Sequence, residues 1–488
     1  MENTQTVSSS PKKFKLDLKR TFLIGFAFFG ILLLWQVYDS WCPTLLTDIF
    51  ARNVYHLSSA ELQLAEHQEK LLNVQWIVGI IMACDNLAAL ILLPIFGNLS
   101  DKTKTPIGKR MPYILVGTFV SAIAFPFIPL FFHMNQIAGM VICMAIVLIF
   151  MMMYRNPAVA LMPDITPKPI RAKANGIINI MGYLGGACAT VLGLFLVLSN
   201  YIKADDATRN LWTIELPFII ASVLMVVSAI VLFFTVNENK LALEMKDEME
   251  RGEKEVEIEE AVDDEKPMPK ANKIMLWGIL IAEFLWFMCD NAIGTYIGNF
   301  IIYYLKAASS NNTILTIVGG VASVAGFATA GFIADKLTRK WTISIGLALY
   351  IIGAAIFVVV GLTSQNPTIN PETGYASLPV LMFVVWIVKG YGIALVNTCS
   401  FPMVVELCSS KKIGKFTGYY YASSMAAQTV TPVLLGLLFN LTKAWWILPI
   451  YCTVLIAASF AVFTPVVKSV NPSKVANVKG LEALGGDD

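Results

Sequence analysis

Gly97-Asn98-Leu99-Ser100-Asp101-Lys102 closes one long apolar stretch of this 488-residue chain, and Gly331-Phe332-Ile333-Ala334-Asp335-Lys336 closes another far downstream. Taken singly, Gly-x-x-x-Asp-Lys is common; twice, each time at the end of an apolar run, it signals a duplicated scaffold. The repeat is wider than the motif. Trp35-x-x-x-Asp39 returns as Trp286-x-x-x-Asp290, and Asp164 with Gly176 returns as Glu406 with Gly418. Parallel halves joined by a long tether are the pattern of a membrane bundle that rocks about a site between its halves.

Composition puts that bundle in lipid. With 56% hydrophobic and 14% charged residues, the chain has more apolar surface than one or two soluble cores could bury. Crossing a bilayer takes about 20 apolar residues. Twelve such stretches begin near Thr21, Val74, Met111, Gln136, Asn175, Glu215, Ile274, Thr313, Trp341, Leu378, Gly414 and Ala444. The expected fold is an all-α membrane protein of twelve transmembrane helices in two pseudo-symmetric six-helix bundles. Those bundles span residues 21–236 and 274–467, with tails at 1–20 and 468–488 and a linker at 237–273. The linker is dense in Glu, Asp and Lys and ends in Pro267-Met268-Pro269, the composition of a solvated, partly helical tether.

If the N-terminus is inside, the cytoplasmic segments hold 28 of the 36 Lys and Arg and the outer loops hold six. That asymmetry places both termini in the cytoplasm and makes a multi-pass cell-membrane protein the expectation. The net charge of +2 then says nothing about partners, and nothing points to nucleic acid. The first apolar run, Thr21 to about Phe50, is too long for a signal-peptide core and reads as an uncleaved helix. The eight Cys lie in or at the ends of spans, where they behave as small apolar residues and imply no disulfide or metal framework. His56, His67 and His133 fall in outer loops and read as solvated surface residues.

The segment from Gly97 to Arg110 joins a helix-end glycine, an acid and a basic cluster, Gly108-Lys109-Arg110, in one short loop. Its chemistry is that of a latch: the glycine lets a neighbouring helix approach, and Asp101 accepts bonds from a helix N-terminus or a basic side chain. Gly97, Asp101, Lys102, Gly108, Lys109, Arg110 and Asp164 are gate candidates in the first half; Gly331, Asp335, Lys336 and Glu406 match them in the second. The plainer alternative is that these charges only satisfy the inside-positive topology.

At these positions the chain resembles the major facilitator superfamily over its full length. Ser100-Asp101-Lys102 followed by Gly108-Lys109-Arg110-Met111-Pro112-Tyr113-Ile114 resembles the plant sucrose–proton symporters, with Met111 where that group has a third Arg. Tyr154-Arg155-Asn156-Pro157 through Leu161-Met162-Pro163-Asp164-Ile165-Thr166 resembles the glycoside–pentoside–hexuronide cation symporters. The resemblance implies a sugar carrier. It also bears on the coupling ion, because the second group carries two Asp where this chain has Ala89 and Leu93 ahead of Pro94. Having lost those oxygens, the chain is expected to use a proton rather than sodium, with no other cofactor.

Four acids and two bases lie inside spans: Asp39, Asp85, Glu283, Asp290, Arg155 and Lys389. Each costs roughly 2.5–3.5 kcal/mol at mid-bilayer if ionised and unpaired, so they must pair, titrate or line water. All six are proton-coupling candidates. Arg155 could pair with Asp39 or Asp85, and Lys389 with Asp290, either as working groups or as permanent ion pairs that hold helices together. On the seventh span Glu283, Trp286, Phe287, Asp290, Asn291 and Gly294 fall on one helical face. Trp35, Tyr38 and Asp39 repeat the arrangement on the first. A flat ring beside a carboxylate suits a sugar, whose C–H face stacks while its hydroxyls bond, although helix packing explains a buried ring as well. The expected substrate contacts are Trp35, Tyr38, Asn86, Tyr183, Trp286, Asn291, Asn397, Tyr421 and Gln428.

The reading these residues support is secondary active, proton-coupled symport of a glycoside, a di- or oligosaccharide such as sucrose or maltose, by a monomer working through alternating access. A proton-coupled exporter of sugars or amphiphiles and a non-transporting sugar sensor are the alternatives. An enzyme is not expected, because no nucleophile–base set, phosphate loop or metal cluster stands at usable spacing.

Overall fold

A computed structural model of the chain describes residues 14–167, 170–203, 212–252, 270–407 and 413–468. Parts of the expected tails and linker, 1–13, 253–269 and 469–488, and the side chain of Glu406 lie outside the described residues. Among the described residues, twelve helices are long and apolar enough to cross a membrane. They are α1 Leu18–Tyr55, α2 Gln68–Lys102, α3 Met111–His133, α4 Ile137–Asp164, α5 Ala174–Phe195 and α6 Ile214–Thr235 in the first half. The second half holds α7 Lys270–Tyr304, α8 Ser310–Leu337, α9 Arg339–Thr363, α10 Leu381–Val404, α11 Phe416–Thr442 and α12 Ile447–Val466.

Local chemistry sets the ends and bends. The Asp17 carboxylate accepts from the Arg20 N–H at 3.1 Å and caps α1. Pro112 sits in the first turn of α3, where its missing N–H costs nothing. Pro94, Pro157 and Pro432 lie inside α2, α4 and α11 and interrupt their ladders at the depth of the cavity.

Each half has its own apolar core, from Ile24 to Val236 in the first and from Met275 to Val467 in the second. The second core takes buried members from the first half at Ala51, Leu62, Leu71, Leu72 and Val74. All five lie at the end opposite the basic Lys102–Met111 loop, so the halves are fused there.

Polar bonds at the same end reinforce the seam. Thr44 donates to Asn299 Oδ1 at 2.9 Å, and Asn299 Nδ2 donates to Thr47 at 2.9 Å. Gln68 Nε2 donates to the Tyr303 carbonyl at 2.6 Å, and Trp445 Nε1 to Gln68 Oε1 at 3.1 Å. Ser199 and Ser309 exchange backbone-to-hydroxyl bonds at 3.2 and 3.0 Å. Between α2 and α11, Gly79 and Gly436 allow direct backbone contact: a Cβ on Gly79 would meet the Pro432 carbonyl at 2.1 Å. At the basic end, by contrast, Gly331 on α8 and Gly418 on α11 have no described neighbour within 4 Å of a Cβ. Among the described residues the bundle is shut at one end and parted at the other.

Candidate functional site

The parted halves enclose a cavity of two connected compartments, of about 270 Å³ and 430 Å³. The smaller lies between α1, α2 and α4 on one side and α7 and α11 on the other. The larger lies between α1, α7, α8 and α10. Asp39, Gly294 and Thr295 line both. With the opposite end sealed, solvent reaches the exposed Asp39 and Gly294 from the basic end.

Trp35, Asp39, Asp85, Asn86, Arg155, Asn291 and Gln428 line the smaller compartment. Asp85 Oδ1 accepts from the Asn86 backbone N–H at 2.6 Å and from its side-chain Nδ2 at 2.9 Å. The Trp35 ring stands edge-on to Tyr38, with centroids 5.5 Å apart at 87°. Tyr38 itself is buried in the first core, behind the wall. The expected ion pair of Arg155 with Asp39 or Asp85 is not formed: all three share the compartment, but no N–O separation falls within 4.0 Å. Arg155 thus faces the cavity beside two acids it does not clamp.

The second half differs. Lys389 Nζ is 2.6 Å from Asp290 Oδ1, and the Tyr350 hydroxyl donates to the same oxygen at 3.3 Å. The pair lines the larger compartment with Gln36, Ser40, Asn312, Thr316, Ser323 and Trp386.

Several expected contacts lie elsewhere. Trp286 and Glu283 are fully buried in the second core and line neither compartment. The common helical face of α7 is therefore split: Asp290, Asn291 and Gly294 reach the cavity, whereas Glu283 and Trp286 do not. The cause is visible one level down. The Ser423 hydroxyl of α11 donates to the Leu280 carbonyl at 2.8 Å and that of Ser459 on α12 to the Ala282 carbonyl at 2.9 Å, so both helices close over α7 at that depth. Tyr421 packs with Phe401 and Tyr420 at centroid distances of 6.3 and 6.0 Å and stays off the cavity wall. Tyr183 is exposed on α5 and Asn397 part-buried on α10, and neither lines a compartment.

The first gate motif is a brace within its own half. Arg110 pairs with Asp101 and, at 2.8 Å, with Asp164; Lys109 adds a 3.0 Å bond to Asp164. Burial works against the Arg110 charge, but Asp164 and Asp101 outweigh it, so its pKa is raised and it stays a cation. Gly97 does admit a neighbour, since a Cβ there would stand 2.5 Å from Asn156 Nδ2 of α4. The second copy departs from this. Asp335 and Lys336 are exposed and pair with no described residue, and Gly331 meets nothing. Lys102 is likewise exposed.

Two features escaped sequence reasoning. Glu238, buried at the start of the short linker helix Glu238–Glu244, accepts from the backbone N–H groups of Lys109 at 3.0 Å, Arg110 at 3.0 Å and Met111 at 3.2 Å. It is an anion on the N-terminus of α3, and Gly108 at φ +113° makes the turn that seats it. Trp386, one turn before Lys389 on α10, supplies the aromatic wall that Trp286 does not. The spacing Trp386-x-x-Lys389 was the available signal.

A family model described as Major Facilitator Superfamily matches residues 21–370 and 279–485. No curated protein matches the chain in sequence. Among solved structures, the E. coli xylose transporter XylE in a partially occluded inward open conformation is similar at TM-score 0.58 and 15% identity, covering 91% of this chain and 97% of that one. A bacterial homologue of the iron transporter ferroportin, inward-facing, is similar at TM-score 0.62 and 11% identity, covering 92% and 98%. The nucleoside transporter NupG is similar at TM-score 0.56 and 13% identity, covering 91% and 100%.

Proposed function

The chain belongs to the Major Facilitator Superfamily, and on that premise we propose that it is a proton-coupled symporter of a neutral glycoside working by alternating access. Neighbours that carry xylose, iron and nucleosides in their names share only the fold, so the substrate must be argued from the cavity. The observation that carries the reading is the smaller compartment: one tryptophan ring beside two cavity acids, with Asn86, Asn291 and Gln428 around them. Ring, amide and carboxylate together suit a polyhydroxylated ring with a C–H face.

The proton is assigned to Asp39 and Asp85, which line the cavity and which no described cation holds within ion-pair distance. A proton needs only such a carboxylate, whereas sodium needs several convergent oxygens. The termini and the basic end are placed in the cytoplasm of a cell membrane, by the excess of Lys and Arg there. The structure then corresponds to the inward-facing state of a monomer.

The test is uptake of a panel of radiolabelled glycosides into proteoliposomes with the pH gradient imposed in either direction. Accumulation of one or more glycosides under an inward proton gradient supports the reading. Glycoside movement only against the proton gradient points to export, and no glycoside response at all overturns the reading.

A further inference from the structure

We propose that Asn299 on α7 is the latch of the outer gate, the side chain whose bonds to the first half break before the sealed end opens. The inference rests on the alternating-access reading with the basic end inside, and it does not depend on which substrate is carried.

Asn299 is fully buried, and among the described residues its side-chain bonds all cross to the other half. Its Oδ1 accepts from the Thr44 hydroxyl at 2.9 Å, and its Nδ2 donates to Thr47 Oγ1 at 2.9 Å and to Gln75 Oε1 at 3.3 Å. Thr44, Thr47 and Gln75 are themselves buried. Along α1, α2 and α7 the four residues lie on the sealed side of Asp39, Asp85 and Asp290. Thr44 and Gly298 line the larger compartment, so the cluster forms the layer between the cavity and the closed end.

The matching place in the first half carries a different group. Asp48 stands as far beyond Asp39 as Asn299 stands beyond Asp290, and its carboxylate is taken up by Arg52 at 2.8 Å and by the Ser59 hydroxyl at 2.8 Å, both in its own half. An amide suits the seam better than a carboxylate. It offers donor and acceptor together and carries no charge into a buried layer.

Buried polar groups that satisfy one another make a seal that can reopen. When the halves part, water replaces each bond at little net cost, whereas a member left without its partner in the closed state is penalised in full. Directly after Asn299, α7 passes through one π-helical turn, Phe300–Tyr304, the kind of irregularity at which helices bend. The latch thus sits where α7 is built to change direction.

The experiment reads the opening of the sealed end. Thr316 is exposed in the larger compartment, and Thr316→Cys in whole cells is labelled by a membrane-impermeant methanethiosulfonate added outside. Protein without Thr316→Cys gives the background of the native cysteines. Adding Asn299→Ala is expected to raise the labelling rate about tenfold, a shift of ~1.4 kcal/mol between closed and open states. The sign follows because Thr44 and Gln75 miss their partner only while the end is closed. Asn299→Asp keeps the size, loses both donations, and should act by a similar factor. Thr44→Val removes one bond, should raise the rate about threefold, and carries the test if an Asn299 variant fails to fold. Asn53→Ala is the control: its bonds to the Ile49 carbonyl at 2.9 Å and to Asn135 at 2.8 Å stay within the first half at the same end. Its rate should stay within about twofold of the parent. Unchanged labelling in folded Asn299 and Thr44 variants, or an equal rise with Asn53→Ala, overturns the inference. Faster labelling of Thr316→Cys alone in cells than in inverted membrane vesicles overturns the assumed topology, and the outer placement of the latch with it.

Discussion

The two halves repeat one scaffold and use it differently at the cavity. In the first, Asp39 and Asp85 face the cavity with Arg155 nearby but outside ion-pair distance. In the second, Asp290 is held 2.6 Å from Lys389 and takes a further bond from Tyr350. The gate motifs show the same division with the roles turned round: the first copy is braced through Arg110, the second leaves Asp335 and Lys336 exposed. Duplication supplies similar helices, and divergence at a few positions leaves Asp39 and Asp85 of the first half outside ion-pair distance of Arg155 while Asp290 of the second is paired with Lys389. A carboxylate held by an ammonium is poorly placed to exchange protons, because removing its charge strands the partner.

The comparison breaks most visibly at Asp85. Asp85→Asn is expected to abolish accumulation against a gradient while leaving exchange of substrate across the membrane, since the amide still bonds hydroxyls but carries no proton. Asp290→Asn in the Lys389→Met background should retain accumulation if the second-half pair is structural. Loss of accumulation in that double variant with normal folding would transfer the coupling role to the second half.

Next in size is Trp286. Fully buried in the second core, it should cost about 3–5 kcal/mol of stability on truncation to alanine. In the surviving folded fraction, substrate affinity should be little changed. Trp35→Ala should do the reverse, weakening binding by roughly tenfold, a ring contact of about 0.5–1.5 kcal/mol plus its area. Equal affinity losses in the two would restore Trp286 to the site.

Lys389→Met alone leaves Asp290 without its cation. The loss should be about 1–3 kcal/mol, below the roughly 3–5 of a fully buried pair, because the Asp290 side chain is 41% exposed. Thermal unfolding of the single and double variants measures it, and the double variant should recover most of the loss.

The smallest effects belong to the gates. If the motif gates, Asp101→Asn should slow turnover several-fold with little change in affinity, because the Arg110 brace lines neither compartment and makes no substrate contact. Asp335→Asn should slow it less. Matched effects at the two positions would mean that the second copy engages in a state other than this one.

Much of the fold was legible because lipid permits few solutions: twelve apolar stretches near the length of a bilayer must be helices, and the doubled motif divides them into halves. That Asp39, Asp85 and Asp290 reach the cavity followed from their being charged inside apolar spans, and that Asn291 does from the helical face it shares with Asp290. Trp286 did not follow, because periodicity says which residues share a face of α7 but not that α11 and α12 close over that face around Leu280 and Ala282. Glu238 was hidden by its neighbours: in a run of linker acids, nothing local marks the one whose carboxylate reaches the N-terminus of α3.

The central claim is that a glycoside and a proton cross together through the acids of the first half. Its most direct test is the pH outside proteoliposomes when an accepted glycoside is added with no gradient imposed. The account predicts that the medium turns alkaline with wild-type protein and stays unchanged with Asp85→Asn. Glycoside entry into wild-type vesicles with no proton movement, or the same alkaline response from Asp85→Asn, would contradict it.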